Sequence, residues 1–550
     1  MARRRAGTAT GTAAGLFGAA LLVVSTVLTA GGAHAQPSPS TGGHSAGHGE
    51  DADHDGRGGH DGHGGGHDRR GGDHGKGDAR LRSSDGPSAA PSRRGAPAAA
   101  SAPPAASAPG GGGSPLARPA LASGAVLAAA DGGPDATLPT AQGLQQALAG
   151  ALADKSLGEV AFAVADAASG RLLYGSGENT PATPASTTKL ATSVAALSLI
   201  PGDTRLTTRV VRGTDPGTIT LVGGGDPTLT ALPADQVRIG GQPADADTAP
   251  ASLDALAQRT AAALKNLGTT AVRLDYDLSM YAGGPRHGNH DGQNIALVQP
   301  LMVDEGKVDP RSRDDAPDRV ADPAAAAADA FAALLGDRGI TVTGKPGLAA
   351  SPAPAPAAPG TVLLGSVDSP TVARLVERLL TTSDNQLAEA IARQVALAAH
   401  QPASFEGAAA AVAQELARLG VPTGDVVLHD GSGLHPGNAV PPAVLVRLLA
   451  LADAEQQPAL RPVLTGLPVA GFTGTLDKRY GSASGSADAA GLIRAKTGTL
   501  SGVNTLAGTV VDADGRLLAF AVMTRTAAPA DTARAAMDRL AARLTTCGCR

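Results

Sequence analysis

The chain has very few aromatic residues. Its 550 residues include no Trp, six Phe and four Tyr. Proteins that bind polysaccharides or single-stranded nucleic acids by stacking need aromatic side chains, so that class of binding protein is excluded. The formal net charge of −5 at pH 7 gives no electrostatic basis for binding nucleic acid either. Ala, Leu and Val must therefore form most of any core.

Cysteine is almost absent as well. The two cysteines are Cys547 and Cys549, next to the C-terminal Arg550. No disulfide can therefore join distant parts of the fold. A strained local bridge and two free thiols are both compatible with this spacing.

Long apolar runs are confined to the N-terminus. Three arginines at positions 3–5 precede an apolar run over residues 16–28, and an Ala-His-Ala string ends at Ala35. This layout predicts a secretory signal peptide over residues 1–35 and a protein that acts outside the cytoplasm, secreted or in the cell envelope. The alternative is an uncleaved membrane anchor, but the run is shorter than the roughly 20 residues that a spanning helix needs.

Residues 36–134 consist mainly of Gly, Pro, Ala, Ser, His and Asp. Such a segment cannot bury enough apolar surface to offset its ordering entropy, so we expect a disordered tether. Seven histidines lie between His44 and His74. They have no fixed four-ligand spacing, so no metal site is predicted, although a non-catalytic, metal-binding envelope protein is kept as an alternative.

The remaining 135–550 segment has a globular composition and is long enough for two or three domains. Leucines at 144, 148 and 152 predict a helix, followed by strands at 160–165 and 171–174. The far end mirrors this order, with strands at 505–511 and 517–523 and a helix entered at Pro529. We therefore expect one sheet that receives strands from both ends of the segment, with both helices packed on it.

Three short strings, far apart in the chain, carry groups suited to acyl transfer. They are Ser186-Thr187-Thr188-Lys189, Ser383-Asp384-Asn385 and Lys496-Thr497-Gly498. Each is weak alone, but their order along the chain resembles that of class A β-lactamases and penicillin-binding proteins.

The first string predicts an activated serine. Pro184 and Ala185 lead into an apolar, helix-forming run, so Ser186 should lie at a helix N-terminus with Lys189 one turn later. A lysine whose pKa is lowered by a second cation can remove the serine proton, and Lys496 is the candidate for that cation. The helix N-terminus would aim N–H groups at the attacked carbonyl.

The second string should project from a turn. Ser369 and Pro370 predict the start of a helix that ends near Thr382. Ser383 and Asn385 would then serve in proton relay and amide recognition. Asp384 is expected to point away and bond locally.

The third string reads as an edge strand over residues 494–499. Lys496, Thr497 and Thr499 would bind a free carboxylate, while an extended substrate pairs alongside.

The first two strings are too far apart for a loop connection. Ser186 and Ser383 are separated by an interval that predicts an inserted domain, which we place at 205–360. The catalytic domain would then comprise residues 135–204 and 361–550. The glycine run at 223–225 is interpreted as backbone geometry, because it lacks the spacing of a phosphate-binding loop. We expect the insert to govern which substrates are cut, not whether bonds are cut.

With these three strings, the chain resembles the class C low-molecular-mass penicillin-binding proteins over about residues 140–545. These proteins are the D-alanyl-D-alanine carboxypeptidase/endopeptidase family of serine peptidases. Further strings resemble those of the family: GGGDPTL at 223–229, SDNQLAE at 383–389, DGSGL at 430–434 and GTL at 474–476. One departure is His435-Pro436, where the family usually has a serine. We expect His435 to lie in a surface turn.

The resemblance implies an α+β fold: a transpeptidase/β-lactamase-like domain, with an antiparallel sheet flanked by helices, and an inserted β-rich domain between the first and second motifs. It implies that Ser186 is acylated, that Lys189 is its base, and that Ser383 and Asn385 surround the leaving group.

For the substrate, the resemblance implies that Lys496, Thr497 and Thr499 bind the terminal carboxylate on the Lys-Thr-Gly strand that contains Gly498. The N–H groups of Ser186 and Thr499 would form the oxyanion hole. It also implies peptidoglycan peptides as substrates, β-lactams as inhibitors and no cofactor.

A β-lactamase is the alternative enzyme. Class A β-lactamases use an additional Glu and a water in deacylation, and no equivalent Glu is obvious in the sequence.

Overall fold

The computed structural model describes residues 136–213, 215–239, 241–354 and 358–548. The predicted signal peptide, the predicted tether with its histidines, and Cys549 lie outside the described residues. No helix in the described ranges is both long and apolar enough to cross a membrane.

Ten α-helices and thirteen strands occur in the described ranges. The helices are α1 Ala141–Leu152, α2 Thr188–Leu199, α3 Leu253–Asn266, α4 Pro323–Gly336, α5 Val372–Thr382, α6 Asn385–Ala398, α7 Phe405–Arg418, α8 Pro442–Asp453, α9 Arg461–Thr465 and α10 Ala530–Thr545. The strands are β1 Glu159–Asp166, β2 Leu172–Ser176, β3 Arg205–Arg212, β4 Thr218–Val222, β5 Arg238–Ile239, β6 Gln242–Pro243, β7 Ala271–Asp277, β8 Thr341–Val342, β9 Gly347–Leu348, β10 Leu363–Thr371, β11 Ile493–Leu500, β12 Val503–Val511 and β13 Leu517–Arg525.

The third string lies on the edge strand β11 of a five-stranded sheet, which has the order β11-β12-β13-β1-β2. Every neighbouring pair is antiparallel, and β1 from the N-terminal part pairs with β13 near the C-terminus. This confirms the prediction of one sheet built from both ends of the segment. All but the last residue of β12 are buried, because helices cover both faces of the sheet.

Alternation along the central strands divides the core into two layers. Phe520 and Val522 of β13 face one side, where α1 and α10 pack. Ala521 and Met523 face the other side, where α2 and α8 pack within a larger helical layer. Residues 188–197 of α2 are all buried, as expected for a helix surrounded by other helices. The serine of the first motif therefore precedes the most enclosed helix of the domain.

The inserted segment forms a second sheet in the order β10-β3-β4-β7-β8, with β9 beside β7. Strands β4 and β7 are parallel, and α3 lies between them in the chain. The helices α3 and α4 pack on the sheet around Leu221, Leu274 and Phe331. The last strand of this sheet, β10, follows residue 360, so we propose that the insert ends near Thr371.

The glycine run at 223–225 has the role in backbone geometry that the sequence predicts. A Cβ at Gly223 would lie 2.6 Å from the Pro300 carbonyl carbon, and Gly225 has a φ of +80°. A side chain at the first position would collide with backbone, and the last position favours glycine because of its left-handed conformation.

The predicted start of α5 was wrong. Ser369 and Pro370 lie at the end of β10, and α5 begins at Val372. Thr371 is the N-cap, with Oγ1 3.3 Å from the Arg374 amide. Ser369 Oγ instead accepts from the Leu206 amide at 2.9 Å, so pairing of β10 with β3 outweighs the local capping signal. The predicted end at Thr382 is confirmed.

Candidate active site

Ser186 lies in a single 3₁₀ turn, Ala185–Thr187, that leads directly into α2. The preceding Ala185 has a φ of +46°, an uncommon conformation for a residue with a side chain. Thr187 Oγ1 donates to the Pro184 carbonyl at 2.6 Å and fixes the turn. The Ser186 side chain is thus presented, half-buried, at the N-terminal end of a buried helix, as the sequence predicts.

Lys189 is fully buried one turn after Ser186. Its Nζ atom lies 2.9 Å from Ser186 Oγ, 2.7 Å from Asn385 Oδ1 and 2.7 Å from the Ser432 carbonyl oxygen. An ammonium has three protons to donate, and three acceptors surround it here. The amine is therefore held in one position against the serine hydroxyl.

Burial lowers the pKa of Lys189 to about 8. Three carboxylates oppose this effect, those of Asp430, Glu389 and Asp384. The sequence-based prediction attributed the lowered pKa to Lys496 and did not include this effect, which is the largest: removal of the amine from water. An amine with this pKa is partly neutral near pH 8 and can accept a proton.

The second motif brings two side chains to the same place. Ser383 follows α5 in the left-handed conformation, with a φ of +59°. Asn385 begins α6 and contacts Lys189, while its Nδ2 donates to the Asn294 carbonyl oxygen of the insert at 3.2 Å. Asp384 Oδ1 caps α6 by accepting from the Leu387 amide at 2.8 Å, which confirms that this side chain bonds locally.

Lys496 of β11 reaches the second motif. Its fully buried Nζ donates to Ser383 Oγ at 2.8 Å and to the Thr497 carbonyl at 2.7 Å. Burial, followed by the charge of Lys189, holds the pKa of Lys496 well below its ordinary value. The repulsion between the two amines is mutual, so a proton on one amine disfavours a proton on the other.

Strand β11 is the edge strand that the sequence predicts. Thr497 and Thr475 are joined by a hydroxyl–hydroxyl hydrogen bond of 2.8 Å. A Cβ at Gly498 would lie 2.9 Å from the Ser186 amide nitrogen, so the strand passes directly beside the serine turn. Thr499 is exposed, and Arg534 Nη2 donates to its Oγ1 at 3.2 Å. This second cation at the end of the strand was not predicted.

A buried polar cluster behind Lys189 was also missed. Both oxygens of Glu389 accept from backbone amides of the 430–434 loop, with Oε1 2.8 Å from the Ser432 amide. Asp430 accepts from the Gly433 amide at 2.8 Å and from His287 Nε2 at 2.9 Å. The acidic residues in the strings at 383–389 and 430–434 were a signal that could have found it.

The cluster contains residue types that bind metal ions, but their ligand atoms are already engaged in hydrogen bonds. One ligand atom each from His287, Glu389 and Asp430 lie within 4.8 Å of one another. The hydrogen bonds to amides and between the side chains already use these atoms. We therefore assign no metal to the cluster.

His435 lies in the predicted turn. Its Nδ1 accepts from the Gly437 amide at 3.1 Å, and its ring lies 4.2 Å from that of His429.

Comparisons with known proteins identify the family of the chain. The D-Ala-D-Ala carboxypeptidase 3 (S13) family matches residues 144–318 and 314–544. Carboxypeptidase DacB of Mycolicibacterium smegmatis is 38% identical over 421 residues, which are 75% of this chain and 86% of the relative. Carboxypeptidase Rv3627c of Mycobacterium tuberculosis is 35% identical over 446 residues, 79% of this chain and 90% of the relative.

Among solved structures, penicillin binding protein 4 of Haemophilus influenzae has a similar fold. It aligns with a TM-score of 0.57 and 21% identity, over 74% of this chain and all of that chain. The resemblance inferred from the motifs is thereby confirmed for family and fold. The chain belongs to the D-Ala-D-Ala carboxypeptidase 3 (S13) family.

Proposed function

We propose that this protein is a serine-type D-Ala-D-Ala carboxypeptidase and endopeptidase that cleaves peptidoglycan stem peptides outside the cytoplasm through an acyl-enzyme at Ser186. The observation that carries the proposal is the 2.9 Å contact between Lys189 Nζ and Ser186 Oγ in a buried site. The family match and the two carboxypeptidase relatives support the substrate class.

In the proposed reaction, neutral Lys189 accepts the Ser186 proton as Oγ attacks the carbonyl of the D-Ala-D-Ala bond. The amides of Ser186 and Thr499 would stabilise the negative oxygen. Collapse of the tetrahedral intermediate breaks the peptide bond, and the departing amine takes up a proton. Water then hydrolyses the ester and regenerates the Ser186 hydroxyl.

The pair formed by Ser383 and Lys496 is suited to deliver the proton to the departing amine, because its hydroxyl and amine are already joined at 2.8 Å. Asn385 would hold the substrate amide. The terminal carboxylate would lie against Thr497 and Thr499, where Lys496 and the unpredicted Arg534 provide positive charge.

The β-lactamase alternative requires rapid hydrolysis of the acyl-enzyme. Glu389 is a buried glutamate in the cluster behind Lys189, and both of its oxygens accept backbone N–H groups of the 430–434 loop. A carboxylate engaged in this way is poorly available to activate water. We therefore propose that β-lactams acylate Ser186 and remain bound for minutes or longer.

Mass spectrometry tests the proposal. The protein is incubated with penicillin and, separately, with purified peptidoglycan fragments, and both protein and products are analysed. We expect a stable adduct on Ser186 and release of D-Ala. Ser186→Ala should abolish labelling, whereas Ser198→Ala, later on the same helix, should retain it. An adduct on another serine, or none, would refute the assignment.

A further inference from the structure

His287 connects the insert to the buried base of the active site. It lies between β7 and α4 in the chain and is only 3% exposed. Its Nε2 is 2.9 Å from Asp430 Oδ2, and its ring packs edge-on against Phe405 with ring centroids 5.2 Å apart. A buried polar side chain is positioned by the hydrogen bonds that it makes.

The hydrogen bonds determine which ring nitrogen carries the proton. The Asn289 amide is 3.0 Å from His287 Nδ1, and an amide can only donate. Nδ1 is therefore unprotonated, so Nε2 carries the hydrogen and donates it to Asp430. The orientation of the imidazole is fixed from both sides.

Asp430 in turn shapes the loop that holds Lys189. Its two oxygens accept from the Gly433 amide at 2.8 Å, from the His435 amide at 2.7 Å and from Asn438 Nδ2 at 2.8 Å. This loop places the Ser432 carbonyl oxygen 2.7 Å from Lys189 Nζ. A shift of the loop would therefore move one of the three acceptors that aim the amine at Ser186.

We propose that His287 is a positioning residue for acylation: by donating to Asp430, it holds the 430–435 loop so that the Ser432 carbonyl fixes Lys189 against Ser186. The insert thus contributes to whether bonds are cut, contrary to the expectation from sequence. This inference rests on the proposed roles of Ser186 and Lys189.

Two amide substitutions at His287 distinguish the effect of its hydrogen bond to Asp430 from the effect of simple packing. His287→Gln places an N–H group near the position of Nε2 and can still donate to Asp430. His287→Asn reaches only the position of Nδ1 and cannot. His429→Gln is the control, because this neighbouring ring packs on His435 and takes no part in the chain of contacts to Lys189.

Time-resolved labelling with penicillin gives the acylation rate constant and the dissociation constant of the initial complex separately. We expect His287→Asn to lower the rate constant about 10- to 100-fold, the scale of a misplaced catalytic group, with little change in the dissociation constant. His287→Gln and His429→Gln should stay within about threefold of wild type.

Several outcomes would overturn the proposal. They are a folded His287→Asn protein with the wild-type rate constant, an effect on the dissociation constant alone, and equal losses in the Gln and Asn variants. If His287→Asn does not fold, ¹⁵N NMR of histidine-labelled wild-type protein decides, because a proton on Nδ1 would contradict the chain of contacts. Labelling of wild type but not of Ser186→Ala shows separately that the proposed function holds.

Discussion

Lys496 donates a hydrogen bond of 2.8 Å to the hydroxyl of Ser383, which lies 113 positions earlier in the chain. The contact joins the edge strand β11 to the turn between α5 and α6. On the other side of the same turn, Asn385 contacts Lys189. The second motif is therefore held between the two buried amines, which explains why the three strings must be present together.

Two substitutions of Ser383 distinguish the role of its hydroxyl in turnover from the effect of its left-handed backbone conformation on stability. Ser383 has a φ of +59°, which glycine adopts without penalty and alanine does not. We expect Ser383→Gly and Ser383→Ala each to lower carboxypeptidase turnover by about 10²-fold, because both lose the hydroxyl. The melting temperature should be higher for Gly than for Ala. A Ser383→Gly variant with wild-type turnover would remove the hydroxyl from the mechanism.

Lys189 should set the pH dependence of acylation. Only the neutral amine can accept the Ser186 proton, so the rate should rise with pH and level off above the pKa of about 8. Lys189→Ala should lower acylation by about 10²–10⁴-fold. Penicillin labelling rates across the pH range provide the measurement. A wild-type rate that falls as the pH increases from 6 to 8 would contradict the assignment.

The two amines should not act independently. The charge of Lys189 contributes to the low pKa of Lys496, so Lys189→Ala should raise the pKa of Lys496. We expect the Lys189→Ala, Lys496→Ala double variant to lose clearly less acylation than the product of the single losses. A double-mutant cycle on acylation rates measures this coupling. Strictly additive losses would refute it.

The buried pair of Asp166 and Arg516 should stabilise the catalytic sheet. Arg516 Nε lies 2.7 Å from Asp166 Oδ1, and the two side chains are 8% and 0% exposed. Arg516→Met leaves a buried carboxylate without its cation, so we expect a loss of about 3–5 kcal/mol in the free energy of unfolding. Arg374→Met, in the more exposed pair with Glu377, should cost less than about 1 kcal/mol. Denaturant unfolding provides both values.

The same pair predicts a pH dependence of stability. Burial alone would raise the pKa of Asp166, but the Arg516 and Ser169 contacts outweigh it and hold the pKa below its ordinary value. The stabilisation is therefore fully present above the unfolded pKa of about 4 and is lost as the pH falls through the lower folded pKa. In Arg516→Met, this acid-sensitive contribution should be reduced. An unchanged acid-unfolding profile would contradict the prediction.

Deletion of residues 36–134 tests the predicted tether. A disordered segment has no fixed geometry to contribute, so turnover of a soluble D-Ala-D-Ala peptide should stay within about twofold. EDTA should leave that turnover unchanged, because the proposed mechanism uses no metal. A large decrease after deletion would mean that the segment docks on the enzyme, and inhibition by EDTA would overturn the metal-free mechanism.

The sequence predicted the parts of the fold that local patterns specify. Strand alternation and turn residues gave β1, β2, β12 and β13, and the motif strings gave the residues that converge at Ser186. The start of α5 was missed because capping residues cannot reveal that β10 pairs with β3. The effect of burial on the pKa of Lys189 was missed, because burial of the amine depends on how α2 packs. The spacing of residues in the sequence does not specify that packing.

The proposed contribution of the insert to acylation could not be predicted from the sequence, for a related reason. His287 and Asp430 are 143 positions apart, and no periodicity connects them. Asn294 is also bonded to Asn385, so the insert contacts both the 430–435 loop and the second motif. We therefore expect excision of the insert to lower penicillin acylation.

The pairing of β1 with β13 also constrains how the protein folds. Phe162 lies opposite Val522, so β1 has no permanent neighbour on that side until β13 has been synthesised. Pairing across such a sequence separation closes a very large loop, which slows folding and prolongs exposure of apolar strand edges. A chain truncated before residue 517 would contain Ser186, Lys189, Ser383 and Lys496 and still lack the strand that joins both halves of the sheet. The sheet beside the active site can therefore be completed only after β13 has been synthesised.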